Sequence, residues 1–495
     1  MNSTTSGGYP ENCCGFIKAK QKFKNHDSTD SPSRAKSRGK LKLMNAFFLN
    51  LLLPRSGSYH NFKVSKPTII FLSFVFLLVS AFLLTGCIKK SVEEETTIHF
   101  VTWKPNIPGA WEEIFKIFKA EHPDIKVVKE VGPHSSTAFH DLLTQKLKNR
   151  SRDIDVFLMD VIWPPEFAAA GWAMSLDDLF PASEQEQFLS GTILANTYEG
   201  QIYGVPLFID SGVLYYRKDL LDRYGFTPPE TWQELVYQAK KIVFNESKKN
   251  RELYGFSGQF KQYEGLVCNI MEYILSNRGN LVNPESTEPE IARKPALEAV
   301  RFVRDNIIGG IAPVGLLTYQ EPESLDLFIQ GKAVFHRNWP YAWEVSNNPE
   351  RSVISGKVGI TRLPHFPGGK SFSTLGGWQL GISNYSENKE AAWTFVEFLT
   401  SERIQKLLAL KAGRAPTRRA LYDNSEILRA YPHFSDMKDV FLTAYPRPRT
   451  PLYPAVSNVL QRYFSKAISS RSSNIEKEAE SASREIEKIL SLTKK

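Results

Sequence analysis

Four short segments set aromatic rings beside carboxylates, a guanidinium or paired glycines. Asp160-Val161-Ile162-Trp163-Pro164 follows an apolar run, and Phe208-Ile209-Asp210-Ser211-Gly212 follows Tyr203-Gly204-Val205-Pro206. Arg337-Asn338-Trp339-Pro340-Tyr341-Ala342-Trp343 follows Ala333-Val334-Phe335, and Leu375-Gly376-Gly377-Trp378 precedes the strand-like Gln379–Ser383. Sugars have apolar C–H faces and a rim of hydroxyls. Indole suits the faces, while Asp, Glu and Arg suit the rim as charge-assisted hydrogen-bond partners. Each residue also has a plainer reading. A single Trp packs in a core, Asp160 caps the next helix, Asp210 is a turn residue before Gly212, and Arg447 of Tyr445-Pro446-Arg447-Pro448 makes a surface salt bridge. The functional reading rests on their co-occurrence.

Other chemistry is missing. The chain has no G-x-S-x-G, Walker A loop, H-E-x-x-H or Cys/His cluster. Gly368-Gly369 and Gly376-Gly377 lack the strand–helix setting of a dinucleotide site. No cofactor and no metal is expected.

Alternating elements must position these residues. Thr97–Thr102 is strand-like, and 109–121 carries Trp111, Ile114, Phe115 and Phe118 at helical spacing before His122-Pro123-Asp124 stops it. Ile125–Lys129 is a second strand. Ser135–Arg150 is a second helix, and the nearly continuous apolar run Ile154–Met159 reads as a buried parallel strand. This β-α-β-α-β order implies right-handed crossovers and an open α/β sheet, whose ligands sit outside the carboxyl ends of strands. Thr231-Trp232-Gln233-Glu234 is a capping box opening a helix through Val243. Glu387–Leu399 and Ser473–Leu492 read as further helices. After residue 96 there is neither repeat nor low-complexity linker, which fits two lobes joined by several crossings.

Pro67–Leu84 is almost wholly apolar, follows Lys63 and Lys66, and closes with Leu84-Thr85-Gly86-Cys87. That pattern is a secretory signal, and its end resembles a bacterial lipobox with Cys87 lipidated. A plain transmembrane anchor is the alternative, and both export the rest of the chain. Residues 1–62 form a basic, core-poor extension read as disordered. Residues 1–90 hold 14 Lys and Arg and three acids, net +11. The remainder holds 48 basic and 50 acidic residues, net −2. The overall +9 therefore belongs to the leader and implies no nucleic-acid surface. Beyond Cys87 only Cys268 remains, in an apolar context that points to a buried thiol.

Asp155–Asp160, Leu214–Leu221, Pro229–Leu235 and Gly376-Gly377-Trp378 resemble extracellular solute-binding proteins of ABC sugar importers. Lys261–Cys268, Arg337–Trp343 and Leu363–Gly368 narrow the resemblance to trehalose- and maltose-binding members. It covers residues 96 to 490. It implies an α/β two-lobe fold, each lobe a mostly parallel sheet flanked by helices, with a ligand cleft between lobes. The expected division is 96–212 plus 371–420 for one lobe and 213–370 plus 421–495 for the other, with 63–87 as the lipoprotein signal. The resemblance implies sugar contacts from Asp160, Asp210, Trp339, Gly377, Trp378 and Arg447, with Phe208 where members carry a tyrosine. Members also carry a first-loop glutamate, where Pro105-Asn106-Ile107-Pro108 offers none. Losing such partners shifts which hydroxyls a site reads, so a sucrose-like disaccharide or a glucosyl polyol joins trehalose and maltose as a candidate. The implied function is a monomeric receptor, lipid-anchored on the extracytoplasmic side, that hands its sugar to permease subunits without turnover. The competing class is an extracytoplasmic glycoside hydrolase with Asp160 and Asp210 as its two carboxylates.

Overall fold

The computed structural model describes residues 95–104, 108–248, 252–283 and 288–494, with residues 66, 67, 71 and 74. The expectations for Cys87 and for Pro105-Asn106-Ile107 lie outside the described residues. Among the described residues no helix is long and apolar enough to cross a membrane.

The compact unit Val92–Lys495 opens with β1 (Thr96–Trp103), helix Pro108–Glu121, β2 (Ile125–Gly132), helix Ser136–Lys148 and β3 (Val156–Asp160), the expected alternation. A small hairpin comes next, β4 (Thr197–Tyr198) with β5 (Gln201–Ile202). The remaining strands are β6 (Val205–Ser211), β7 (Val213–Arg217), β8 (Tyr254–Ser257), β9 (Ala333–Asn338), β10 (Val358–Thr361), β11 (Leu375–Ile382) and β12 (Ala415–Pro416). They form a six-stranded sheet ordered β12-β6-β11-β3-β1-β2 and a four-stranded sheet ordered β10-β7-β9-β8. In the first, β2, β1 and β3 are parallel, and β11 runs antiparallel between β3 and β6. In the second, β8 and β9 are parallel and β7 opposes both β9 and β10. Each sheet thus has one dominant strand direction, with the opposed β11 and β7 set within it. The architecture is mixed α/β in two lobes.

The central strands β3, β6 and β11 are buried at every position, which explains why the β3 segment reads as a nearly continuous apolar run. Helix Ser136–Lys148 is capped by Ser135 and buries Phe139, Leu143 and Leu147 on one stripe. The Thr231/Glu234 capping box is present on helix Trp232–Glu246. Trp232 is a core residue, 1% exposed, with its indole stacked on Tyr273 and its N–H donated to Ser276. Helix Glu264–Ser276 is buried at every residue.

Two expectations about local structure change. Gly376-Gly377-Trp378 does not precede a strand; it lies within β11. Glycine weakens a strand unless another backbone comes close. Here a Cβ on Gly377 would sit 2.6 Å from the Phe208 carbonyl oxygen, and the residue has φ +129. Likewise Asp210 is no turn residue, because β6 continues through Ser211.

The chain crosses between the sheets at Gly212 and at residues 362–374, and the segment around Tyr445 lies against both crossings. The crossings are tied together: Ser373 Oγ donates to the Gly212 carbonyl at 2.7 Å, Leu375 N to the Tyr445 carbonyl at 2.8 Å, and Tyr445 N to the Ser373 carbonyl at 2.8 Å.

Candidate functional site

A cleft partly open to solvent lies beyond the carboxyl ends of β3, β6 and β9. Asp160, Asp210, Trp339, Gly377, Trp378 and Arg447, all singled out by sequence, line it together. Phe208 does not reach the wall. It is 1% exposed, behind the Arg414 guanidinium, which sits 4.6 Å from its ring centre.

Register explains the convergence. On β11, Trp378 pairs with Asp160 of β3 on one side, and Gly376 pairs with Asp210 of β6 on the other. One strand therefore places an indole and two glycines between two carboxylates. A side chain at Gly376 would press 3.1 Å from the Trp339 ring and the Asp210 Cβ, so glycine keeps the floor open.

Asp160 accepts from Arg447 Nη2 at 3.1 Å, and Arg447 Nη1 donates to Glu264 at 2.7 Å. Glu264 also accepts from Tyr453 at 2.7 Å and from Ser457. Its backbone N–H donates to Thr137 Oγ1 at 3.3 Å, from the helix that follows β2. This ion triad therefore ties the six-stranded sheet to helix Glu264–Ser276. Burial pushes the Asp160 carboxyl up to about 6, because Arg447 offsets only part of the desolvation and Glu264 adds to it. Asp210 is different. Arg414 Nη1 stands 3.7 Å from one oxygen and the other, Oδ1, has no hydrogen-bond partner among the described residues. Burial carries Asp210 up to about 7 against the pull of Arg414.

The aromatic wall is layered. The Trp378 ring lies 5.0 Å from Trp103 and edge-on to Trp163 at 5.7 Å, and it is 8% exposed. It is at once part of the core and part of the cleft wall, so the two readings of this tryptophan coexist. Trp339 has the Arg337 guanidinium 4.0 Å over its ring and donates its indole N–H to Glu321 at 3.2 Å.

Trp103, Tyr263, Glu264, Glu321, Tyr341 and Arg414 also line the cleft; Tyr341, Tyr263 and Glu264 stand in segments singled out by sequence without being named as contacts, and Trp103, Glu321 and Arg414 were missed. Of these three, only Arg414 left a local trace. It follows Gly413, the left-handed cap (φ +60) of helix Glu402–Ala412, and so must turn back toward β12. The others arrive from elements whose meeting no local pattern encodes.

Four lining carboxylates, Asp160, Asp210, Glu264 and Glu321, face two guanidiniums, Arg414 and Arg447. That balance disfavours anionic ligands, while rings and charged hydrogen-bond partners suit a neutral polyhydroxylated one. Cys268 lines the cleft but is 2% exposed, and burial drives its thiol well above the usual range, which makes it a poor nucleophile. Among the described residues no group of three or more His, Cys, Asp or Glu is placed to hold a metal ion.

Comparison with known proteins agrees with this geometry. Residues 104–406 match the model of bacterial extracellular solute-binding proteins. A probable ABC transporter-binding protein of Deinococcus radiodurans is 39% identical over 319 residues, 64% of this chain and 75% of that protein. A mannitol-binding protein of Pseudomonas aeruginosa is 22% identical over 406 residues, 76% of this chain and 89% of that protein. Among solved structures, a maltose-bound T. maritima protein superposes with a TM-score of 0.76 at 39% identity, covering 80% of this chain and all of that one.

Proposed function

The chain belongs to the bacterial extracellular solute-binding protein family, and from that premise we propose that it is the sugar receptor of an ABC importer. It captures a neutral disaccharide of the maltose, trehalose or sucrose kind, or a glucosyl polyol, between its lobes and delivers it to membrane permease subunits. The observation that carries this reading is the convergence of Trp339 and Trp378 with Asp160, Asp210 and Arg447 on one cleft. The likeness to a maltose-bound protein at 39% identity supports it. Asp160, Asp210, Trp339, Gly377, Trp378 and Arg447 are the proposed contacts. The proposed lobes are 96–212 with 371–420 and 213–370 with 421–495, a division that the two sheets support. The receptor works outside the cytoplasm as a monomer, held to the membrane through lipid on Cys87.

Hydrolysis is disfavoured because Asp160 is held in the triad with Arg447 and Glu264. Calorimetric titration of the purified chain with maltose, trehalose, sucrose and mannitol tests the proposal. Saturable 1:1 binding of at least one sugar without release of glucose is the expected result. No heat with any of the four, or steady glucose formation from maltose, would overturn it.

A further inference from the structure

The Asp210–Arg414 pair is left unfinished: its members make no hydrogen bond to each other, whereas Arg447, whose Nε also lacks a partner among the described residues, bonds Glu264 and Asp160 through its two Nη atoms. Arg414 is 6% exposed and Asp210 is 5% exposed, yet their nearest approach is 3.7 Å, too long for a hydrogen bond. Asp210 Oδ1 has no hydrogen-bond partner among the described residues. Both residues line the cleft. Native proteins pair nearly all buried polar groups, because an unmade bond leaves the full desolvation cost standing. Packing explains why Arg414 cannot move closer to other acceptors. Its guanidinium carbon lies 4.6 Å from the Phe208 ring centre, 4.9 Å from that of Tyr341 and 5.6 Å from that of Trp103. These rings crowd the guanidinium but offer its in-plane donors no oxygen or nitrogen acceptor beyond the Tyr341 hydroxyl. The aromatic setting thus holds a planar fork of N–H groups at the cleft, beside a carboxylate oxygen that lacks a donor.

We propose that Arg414 is a specificity-determining residue that acts with Asp210 as a diol reader. Its in-plane N–H groups donate to two vicinal hydroxyl oxygens of the bound sugar, and Asp210 Oδ1 accepts the proton of one of those hydroxyls. A hydroxyl is both donor and acceptor, so a vicinal diol completes the pair, which a carboxylate or an isolated hydroxyl does not. The inference rests on the sugar-receptor reading and names which part of the cleft selects the ligand.

The test uses whichever of maltose, trehalose, sucrose and mannitol binds the wild-type chain most tightly, together with its monodeoxy derivatives. Arg414→Lys and Arg414→Met are compared with wild type by titration, with unfolding temperature recorded for each. Arg414→Met is expected to weaken binding about tenfold to a hundredfold. Arg414→Lys keeps the charge but not the fork and should lose at least about tenfold. The decisive readout is the deoxy series. In wild type two adjacent deoxy derivatives bind about tenfold or more weaker than the parent, and in both variants the penalty is lost at the hydroxyl read by Arg414 alone and reduced at the one shared with Asp210. If the parent sugar binds and the variants stay within about twofold of wild type, or the deoxy penalties persist unchanged, the diol reader is wrong while the receptor reading stands. If none of the four binds wild type, both fall.

Discussion

Arg337–Glu272 and Arg414–Asp210 are both buried guanidinium–carboxylate pairs, and they are built in opposite ways. Arg337 donates to both Glu272 oxygens, Nε at 2.8 Å, and its Nη1 reaches Gln259 at 3.2 Å. Glu272 also accepts from Thr374 N at 3.2 Å, and a Cβ on Gly212 would collide with it. That pair is satisfied on every side and sits where the chain crosses between sheets. Arg414–Asp210 is loose, lines the cleft and leaves an oxygen unpartnered. The difference teaches how to separate structural from ligand-facing charge. Burial alone does not distinguish them, since all four residues are at most 6% exposed. Between these two pairs, hydrogen-bond completeness does.

The comparison predicts opposite outcomes on removal. Glu272→Ala leaves Arg337 buried without a counter-ion and opens the crossing at Gly212. It should destabilise the fold by about 3–5 kcal/mol in denaturant unfolding. An effect below about 1 kcal/mol would break the distinction.

Trp232 and Trp378 sharpen the same contrast among aromatics. Trp232→Ala should cost about 3–5 kcal/mol of stability, as a core truncation does, with sugar affinity unchanged in the folded fraction. Trp378→Ala and Asp160→Ala should each weaken binding by about one to two orders of magnitude. A normal affinity in folded Trp378→Ala protein would return that residue to the core alone.

These pairs also mark what was legible in the sequence. Asp160 and Trp378 could be found because a carboxylate ending an apolar strand and a Trp after two glycines are local patterns. Arg337 stands in an equally suggestive segment, yet its partner Glu272 lies 65 residues away, so its structural role is invisible until the two meet. Glu264 and Glu321 sit in the first turns of helices that the sequence reading did not mark, and only the tertiary packing brings them to the cleft. The glycines of β11 defeated strand reading for a physical reason. The close backbone of Phe208 demands them, while propensity argues against them.

The smallest effect is on pH. Asp160 and Asp210 have folded values of about 6 and about 7, above an unfolded value near ~3.9. Between those limits the folded chain holds more protons than the unfolded one, so the stability these groups contribute is full below pH ~4 and is lost as pH rises toward 7. Binding runs the other way, because a sugar hydroxyl donates best to an ionised carboxylate. Affinity should fall as pH drops through 7 and then 6, by about fivefold for each carboxyl protonated, because a neutral carboxyl still accepts a weaker hydrogen bond. Asp210→Asn should flatten the upper step, as titrations at a series of pH values would show.

The central claim is that the unfinished pair and the aromatic wall together form the sugar site. A crystal structure of the chain saturated with the sugar that binds best tests it most directly. The expected result is a sugar ring against Trp339 or Trp378, with hydroxyls bonded to Asp160 and Arg447 and an adjacent pair bonded to Arg414 and Asp210 Oδ1. Sugar density elsewhere on the molecule, with Asp210 and Arg414 unchanged beside an empty cleft, would contradict it.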